Sequence, residues 1–151
     1  MTLTIGDTAP DFTLLTDTNT PMTLSNLRGQ KVLLYFYPKD HTPGCTTQAC
    51  DFRDYHKILT DKGVQVFGIS KDSAATHTKF KAKHQLPFTL LVDANADVCE
   101  AYGVINKKSL FGKTFLGIQR TTVLIDEQGK IQSLWRKVKV KGHLDDVLKA
   151  L

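Results

Sequence analysis

The sequence predicts an α/β protein built on a central mixed β-sheet flanked by helices, with a β-hairpin near its N-terminus. Three observations carry this. Lys31-Val32-Leu33-Leu34-Tyr35-Phe36-Tyr37 is an almost continuous apolar run closed by Pro38, the pattern of a strand buried on both faces and so central in a sheet. From there to Gly103, strand-like and helix-like stretches alternate, which implies right-handed crossovers and parallel pairs. Beyond Gly103 the alternation gives way to two extended runs around a turn, which is antiparallel chemistry.

Taken in order, Phe12–Leu15 and Met22–Leu24 flank the turn-rich Thr16-Asp17-Thr18-Asn19-Thr20-Pro21 and read as the small hairpin. After the central strand, Thr42 suits an N-cap and Pro43 the first helical position. Ala49, Phe52, His56 and Leu59 then recur at helical spacing up to Lys62-Gly63, so one helix of about 15 to 18 residues is expected. Val64–Ser70 is a second buried strand, Ser73–His84 a second helix, Phe88–Val92 a third strand and Ala94–Tyr102 a short helix halted by Gly103. Phe115–Ile125 and Lys130–Val140 are expected as two strands around Asp126-Glu127-Gln128-Gly129, and Leu144–Leu151 as a closing helix. Within the last strand, Arg136-Lys137-Val138-Lys139-Val140-Lys141 alternates charge with valine, as one wet face would, and its lysines would discourage edge pairing.

A chain of 151 residues, 41% hydrophobic, can bury one core unaided by disulfide or metal, and residues 1–151 are expected to form a single domain. Three cysteines, Cys45, Cys50 and Cys99, are too few and too odd in number for a secreted disulfide scaffold. With no basic-then-apolar leader and no apolar stretch of roughly 20 residues, the reading is a cytoplasmic protein that does not enter a membrane. The net charge of +5, from 20 Lys and Arg against 15 Asp and Glu, could suit nucleic acid. The basic residues are scattered, however, and lack a groove-reading motif, so nucleic-acid binding is not expected.

Cys45 stands in Pro38-Lys39-Asp40-His41-Thr42-Pro43-Gly44-Cys45, directly after the central strand and in the first turn of the expected helix. Unpaired N–H groups and the positive end of the macrodipole favour a thiolate there, so a depressed thiol pKa is expected. Gly44 would let a ligand approach the backbone closely, and the N–H groups of Gly44 and Cys45 could hold an anion or a polarised oxygen. A cysteine so placed is otherwise a small buried hydrophobe, and Thr42 otherwise a plain cap.

The segment Phe36-Tyr37-Pro38-Lys39-Asp40-His41-Thr42-Pro43-Gly44-Cys45-Thr46-Thr47-Gln48-Ala49-Cys50-Asp51-Phe52-Arg53-Asp54 resembles the active-site segment of peroxiredoxins, specifically the bacterioferritin comigratory protein or peroxiredoxin Q subfamily. The likeness extends through Ala9-Pro10-Asp11-Phe12, Gly68–Ser73, Arg120–Asp126 and Val138–His143. It implies a thioredoxin-like fold and a thiol peroxidase acting on hydrogen peroxide and organic hydroperoxides. Cys45 would be the peroxidatic cysteine, whose thiolate takes the distal peroxide oxygen to become a sulfenic acid. Thr42 would orient the peroxide, Pro38 would shield the sulfur from water, and Arg120 would set positive charge against sulfur and peroxide. An arginine, always charged and with several donors in a fixed fork, suits a site where negative charge migrates from sulfur to oxygen. The same resemblance makes Cys50 the resolving cysteine and thioredoxin the reductant, with glutaredoxin as the alternative. It also implies a monomer, and no cofactor or metal.

An intact helix puts residues five apart at roughly 8 to 9 Å between Cα atoms, with side chains diverging, whereas a disulfide needs less than about 7 Å. Pairing Cys45 with Cys50 would therefore unwind the first helical turns. Cys45, Ala49 and Phe52 fall on one face; Cys50 lies with Arg53, Asp54 and Lys57. Cys99 carries no motif and reads as a structural thiol. Two rival readings fit the residues less well. A thioredoxin-like copper chaperone would use two cysteines closer together plus a distant histidine, but His41, His56, His77, His84 and His143 are dispersed. A disulfide oxidoreductase would need a Cys-x-x-Cys loop, which is absent. Gln48 stands where many relatives of the resembled subfamily carry glutamate. Tyr37, Phe80 and Phe88 could form an apolar collar for alkyl hydroperoxides, although core packing is the simpler role for each.

Overall fold

A computed structural model describes residues 3–151. Seven strands form one mixed sheet: β1 (Thr13–Thr16), β2 (Pro21–Thr23), β3 (Lys31–Phe36), β4 (Val64–Ser70), β5 (Thr89–Val92), β8 (Thr121–Ile125) and β9 (Ile131–Trp135), in the order β2-β1-β5-β4-β3-β8-β9. A separate two-stranded arm is made by β6 (Ile105–Leu110) and β7 (Lys113–Ile118). The helices are α1 (Pro43–Asp54), α2 (His56–Asp61), α3 (Ala74–His84), α4 (Asp97–Ala101) and α5 (His143–Lys149). β3 pairs parallel with β4 and β4 parallel with β5, whereas β1, β8 and β9 join antiparallel. This is the mixed, thioredoxin-like arrangement expected, with the N-terminal hairpin β1–β2 in place.

The central position of β3 follows from its composition. Val32, Leu34 and Phe36 point into one cluster with Leu91, Val98, Tyr102 and Val123, while Leu33, Tyr35 and Tyr37 point into the other with Phe52, Leu59, Phe80 and Val147. Strand side chains alternate between faces, so a run apolar at every position is buried only where both faces are covered. α1 and α5 cover the second face, and through it Cys45 joins the core.

Gly68 in β4 makes room for that face. A Cβ there would stand 2.8 Å from Tyr35 Cζ and Oη and from Leu90 Cδ2. Tyr35 is locked by Phe52, with ring centroids 4.9 Å apart, and by Phe88 at 5.9 Å. Gly68→Ala is therefore expected to destabilise the protein by about 1 to 3 kcal/mol through overpacking. An unshifted urea midpoint would refute this.

Three expectations are corrected. The single helix after Thr42 is two, broken at Tyr55 (φ −108°, ψ 10°). Phe52 and Leu59 lie seven residues apart and share a face, so the apolar stripe runs straight through the break and hides it. The expected strand Phe115–Ile125 is also two: β7 ends at Ile118, and Gln119-Arg120 turn the chain into β8. β7 instead pairs back on β6 through Phe111-Gly112, both at positive φ (52° and 76°), which is two-residue hairpin geometry. The polar Asn106-Lys107-Lys108 concealed β6. Finally, β9 stops at Trp135, because Lys137 takes a left-handed conformation (φ 52°). Lys137, Lys139 and Lys141 are exposed as the alternation implies, yet the Arg136–Lys141 segment carries no strand ladder.

Candidate active site

Cys45 lies in the first turn of α1 and is buried, at 1% exposure. Its helix begins where β3 ends because Pro38 stops the strand and Thr42, extended at φ −91° and ψ 151°, hands over to Pro43. Between them the loop is bound internally. The Thr42 hydroxyl donates to the Lys39 carbonyl at 2.7 Å, and His41 sits in the left-handed region at φ 63°. Thr42 is thus the N-cap by position only; its side chain makes no capping bond to the helix, since the hydroxyl is turned back into the loop.

Arg120, at the junction of β7 and β8, reaches across to this helix start. One guanidinium nitrogen, Nη2, donates to Cys45 Sγ at 3.3 Å, and the other, Nη1, donates to Gln48 Oε1 at 2.7 Å. The fork is possible because Gly44 has no side chain: a Cβ there would meet Nη2 at 3.2 Å. The space above Gly44 is therefore taken by the guanidinium. Arg120 is freed to do this by the break between β7 and β8, and its own carbonyl accepts from Val138 N–H at 3.0 Å.

Gln48 is the residue whose part in the site was least legible. It is buried beside Cys45, its Oε1 faces Arg120, and its Nε2 has no partner among the described residues. A carboxylate in the same place would offer a charge to Arg120 in competition with the sulfur; the neutral amide leaves the guanidinium's charge directed at Cys45.

Of the remaining expected residues, Pro38 is half-buried and lines a cleft of about 360 Å³ with Lys39, Lys71, Lys108, Phe115 and Leu116. Cys50 is half-buried, while its neighbour Ala49 packs inward with Cys45 and Phe52. All three cysteines are free thiols, and α1 is intact across Cys45 and Cys50. Cys99 is fully buried on the other face of the sheet. Burial, followed by the neighbouring Asp93, pushes its thiol well above the ordinary range. Asp93 meanwhile caps α4 through the N–H groups of Val98 and Cys99, so Cys99 has the structural setting expected. Tyr37, Phe80 and Phe88 are each at most 4% exposed and pack in the core instead of forming a collar.

The histidines are mostly apart, but His77 meets Asp40 and Asp72 within 4.8 Å. Those groups are already hydrogen-bonded to one another, to Tyr37 and to Ser70. A second cleft, about 510 Å³, opens at the far end of β4 between His56, Val66, Pro87 and Phe88, away from Cys45.

Comparison with known proteins places the chain among characterised relatives. The family model described as AhpC/TSA matches residues 5–134. The chain is 49% identical over 151 residues to peroxiredoxin Bcp of Bacillus subtilis, covering 100% of this chain and 96% of that one. It is 46% identical over 146 residues to peroxiredoxin Bcp of Escherichia coli K12, covering 97% and 94%. Among solved structures, the bacterioferritin comigratory protein of Xanthomonas campestris, studied for alkyl peroxide reduction, superposes with a TM-score of 0.90 at 39% identity, covering 98% of this chain and 94% of that one.

Proposed function

The chain belongs to the AhpC/TSA family and is a thiol-dependent peroxidase of the peroxiredoxin type, and on that premise we propose that Cys45 is its peroxidatic cysteine and Cys50 its resolving one. The observation that carries the reading is the guanidinium of Arg120 donating to a buried sulfur at the head of α1.

The Cys45 thiolate attacks the distal oxygen of a hydroperoxide; the O–O bond breaks, the leaving oxygen takes a proton and departs as water or an alcohol, and Cys45 becomes a sulfenic acid. Arg120 suits this step because negative charge on sulfur passes to oxygen, and a fixed fork of donors meets it in either position. Thr42, at the N-cap, orients the peroxide once its hydroxyl leaves Lys39. Pro38 walls the approach against water, and the N–H groups of Gly44 and Cys45, in the first turn of α1, suit an oxygen that gains negative charge. The Cys50 thiol then displaces water from the sulfenic acid to give a disulfide. Hydrogen peroxide and organic hydroperoxides are both substrates in this reading, the latter supported by what is studied in the Xanthomonas relative.

The family's thioredoxin-type reductants reopen such a disulfide by dithiol exchange. For this chain we take thioredoxin itself as the donor, glutaredoxin being the alternative that a coupled assay separates. A monomer in the cytoplasm is the matching setting in this reading, since reopening the disulfide by dithiol exchange calls for a reducing compartment.

Peroxide titration with thiol counting tests the assignment. One equivalent should consume two thiols in the native chain. Cys50→Ser should lose one and yield a Cys45 sulfenic acid trappable by dimedone, and Cys45→Ser should leave peroxide untouched at stoichiometric levels. Rapid peroxide consumption by Cys45→Ser would overturn the reading.

A further inference from the structure

Asp40, five residues before Cys45, is 2% exposed and His77 on α3 is fully buried. Tyr37, the last buried residue before Pro38, donates its hydroxyl to Asp40 Oδ1 at 2.6 Å, and Asp40 Oδ2 lies 2.6 Å from His77 Nδ1. His77 Nε2 stands 2.9 Å from the Leu91 carbonyl on β5. The Asp40 N–H donates to Asp72 Oδ2 at 2.8 Å, and Asp72 is itself held by the Ser70 hydroxyl.

We propose that Asp40 and His77 form a proton-dependent latch that holds the segment bearing Cys45 in its peroxide-attacking arrangement, making both positioning residues for the reaction. The inference rests on Cys45 and Cys50 acting as assigned above.

The proton follows from the geometry. A carbonyl oxygen can only accept, so His77 Nε2 must carry a hydrogen. Nδ1 then faces a carboxylate oxygen at 2.6 Å, and that contact requires one further proton, on nitrogen or on oxygen. Without it, two lone pairs would oppose each other in a dry site, where an unmade hydrogen bond is most costly. The latch ties the loop that leads into α1 to elements outside it. Asp40 belongs to the loop feeding α1, whereas α3, β5 and the β4–α3 connection carry neither Cys45 nor Cys50. Between Asp40 and the helix, His41 is held in the left-handed region, which favours relaxation of the loop once its anchor is released.

Unwinding of α1 is what Cys50 needs in order to reach Cys45. A sulfenic acid there has two fates. Cys50 can displace water and close the disulfide, or a second hydroperoxide can transfer an oxygen, leaving sulfinic acid and an alcohol or water. A closed latch prolongs the folded state and favours the second fate; an open latch favours the first.

The groups facing His77 are Asp40 and Tyr37 from the loop, Asp72 from the β4–α3 connection and the Leu91 carbonyl from β5. Burial disfavours charge on the imidazole, but the Asp40 hydrogen bond and charge, the Leu91 carbonyl and Asp72 outweigh it, so His77 titrates above an ordinary histidine. A folded value raised in this way gives a contribution that is complete below the unfolded value of about 6.5 and lost as pH rises through the folded one. Alkaline conditions open the latch.

The test measures, after peroxide pulses to the full-length protein at about pH 6 and about pH 8.5, the fraction of chains gaining two oxygens against those losing two hydrogens. In the native chain the sulfinic fraction should fall several-fold at the higher pH. His77→Leu should give the low fraction at both. Asp40→Asn offers Nδ1 an amide donor and Tyr37 an acceptor without a titrating proton, so it should rescue the high fraction and flatten the profile. Superimposable profiles in all three chains, with the disulfide forming normally, would overturn the latch alone. A native chain that never loses the second thiol would instead overturn the Cys50 assignment on which it rests.

Discussion

Replacing Arg120 by alanine will slow the reaction of Cys45 with hydrogen peroxide by about 100-fold or more, the usual cost of removing one preorganised donor from a developing negative charge. Arg120 is the charged group that contacts both the sulfur and the residue beside it, through Nη2 at 3.3 Å and Nη1 at 2.7 Å. The fold should survive, because Arg120 is half-buried between strands and not part of a ladder. The local stability cost is the orphaned Gln48 Oε1, about 1 to 3 kcal/mol. Lysine at the same position should restore little. A single ammonium cannot span sulfur and amide together, and its flexible stem is not pre-aimed. The check is the second-order rate constant by stopped-flow competition, with far-ultraviolet circular dichroism to confirm folding. An unchanged rate in a folded Arg120→Ala protein would remove Arg120 from the chemistry.

Oxidation to a Cys45–Cys50 disulfide will accelerate amide hydrogen exchange across residues 42–51 by orders of magnitude while leaving exchange beyond Phe52 slow. The intact helix separates the two Cα atoms by roughly 8 to 9 Å, beyond disulfide reach, so the bond can close only if the first turns open. What holds those turns is Cys45, Gln48 and Ala49 together with the two Arg120 bonds. That is more than the small apolar residues legible in the sequence, yet still local structure that opens for a few kcal/mol. Phe52 should mark the limit, because its ring is buried against Tyr35 at 4.9 Å and near His143. Unchanged protection in a verified disulfide form would mean that the thiols meet by another route.

Both outcomes turn on residues whose visibility in the chain differs. Cys45 was legible because a thiol in a helix's first turn after a proline-stopped central strand is a local arrangement, carried by adjacent residues. Arg120 could be named only through the family motif. Its geometry depends on the β7–β8 break, and the sequence reads that region as one unbroken strand because Phe115–Ile125 is extended on both sides of it. The sequence reads Gly44 as open backbone for a ligand, whereas its missing side chain is what admits the guanidinium. Gln48 stands out in the sequence only as a departure from relatives, since a glutamine within a helix carries no signal of burial. The same holds for His77. Thirty-seven residues separate it from Asp40, and nothing in the spacing of dispersed histidines announces that α3 and the active-site loop will share a proton.

Periodicity and turn chemistry, acting over neighbouring residues, were enough to place β3 at the centre, α1 after it, and a reactive thiol at the head of α1. These depend on interactions within a turn or a strand, which the order of residues specifies directly. The partners at that helix start, Arg120 and Gln48, and the Asp40–His77 pair in the loop before it depend on which strand ends and helix starts meet across the sheet. Burial settles that meeting: the paired faces of β3 draw α1, α3 and β8 together, and once water is excluded each polar group is left with the few partners that folding has brought within reach.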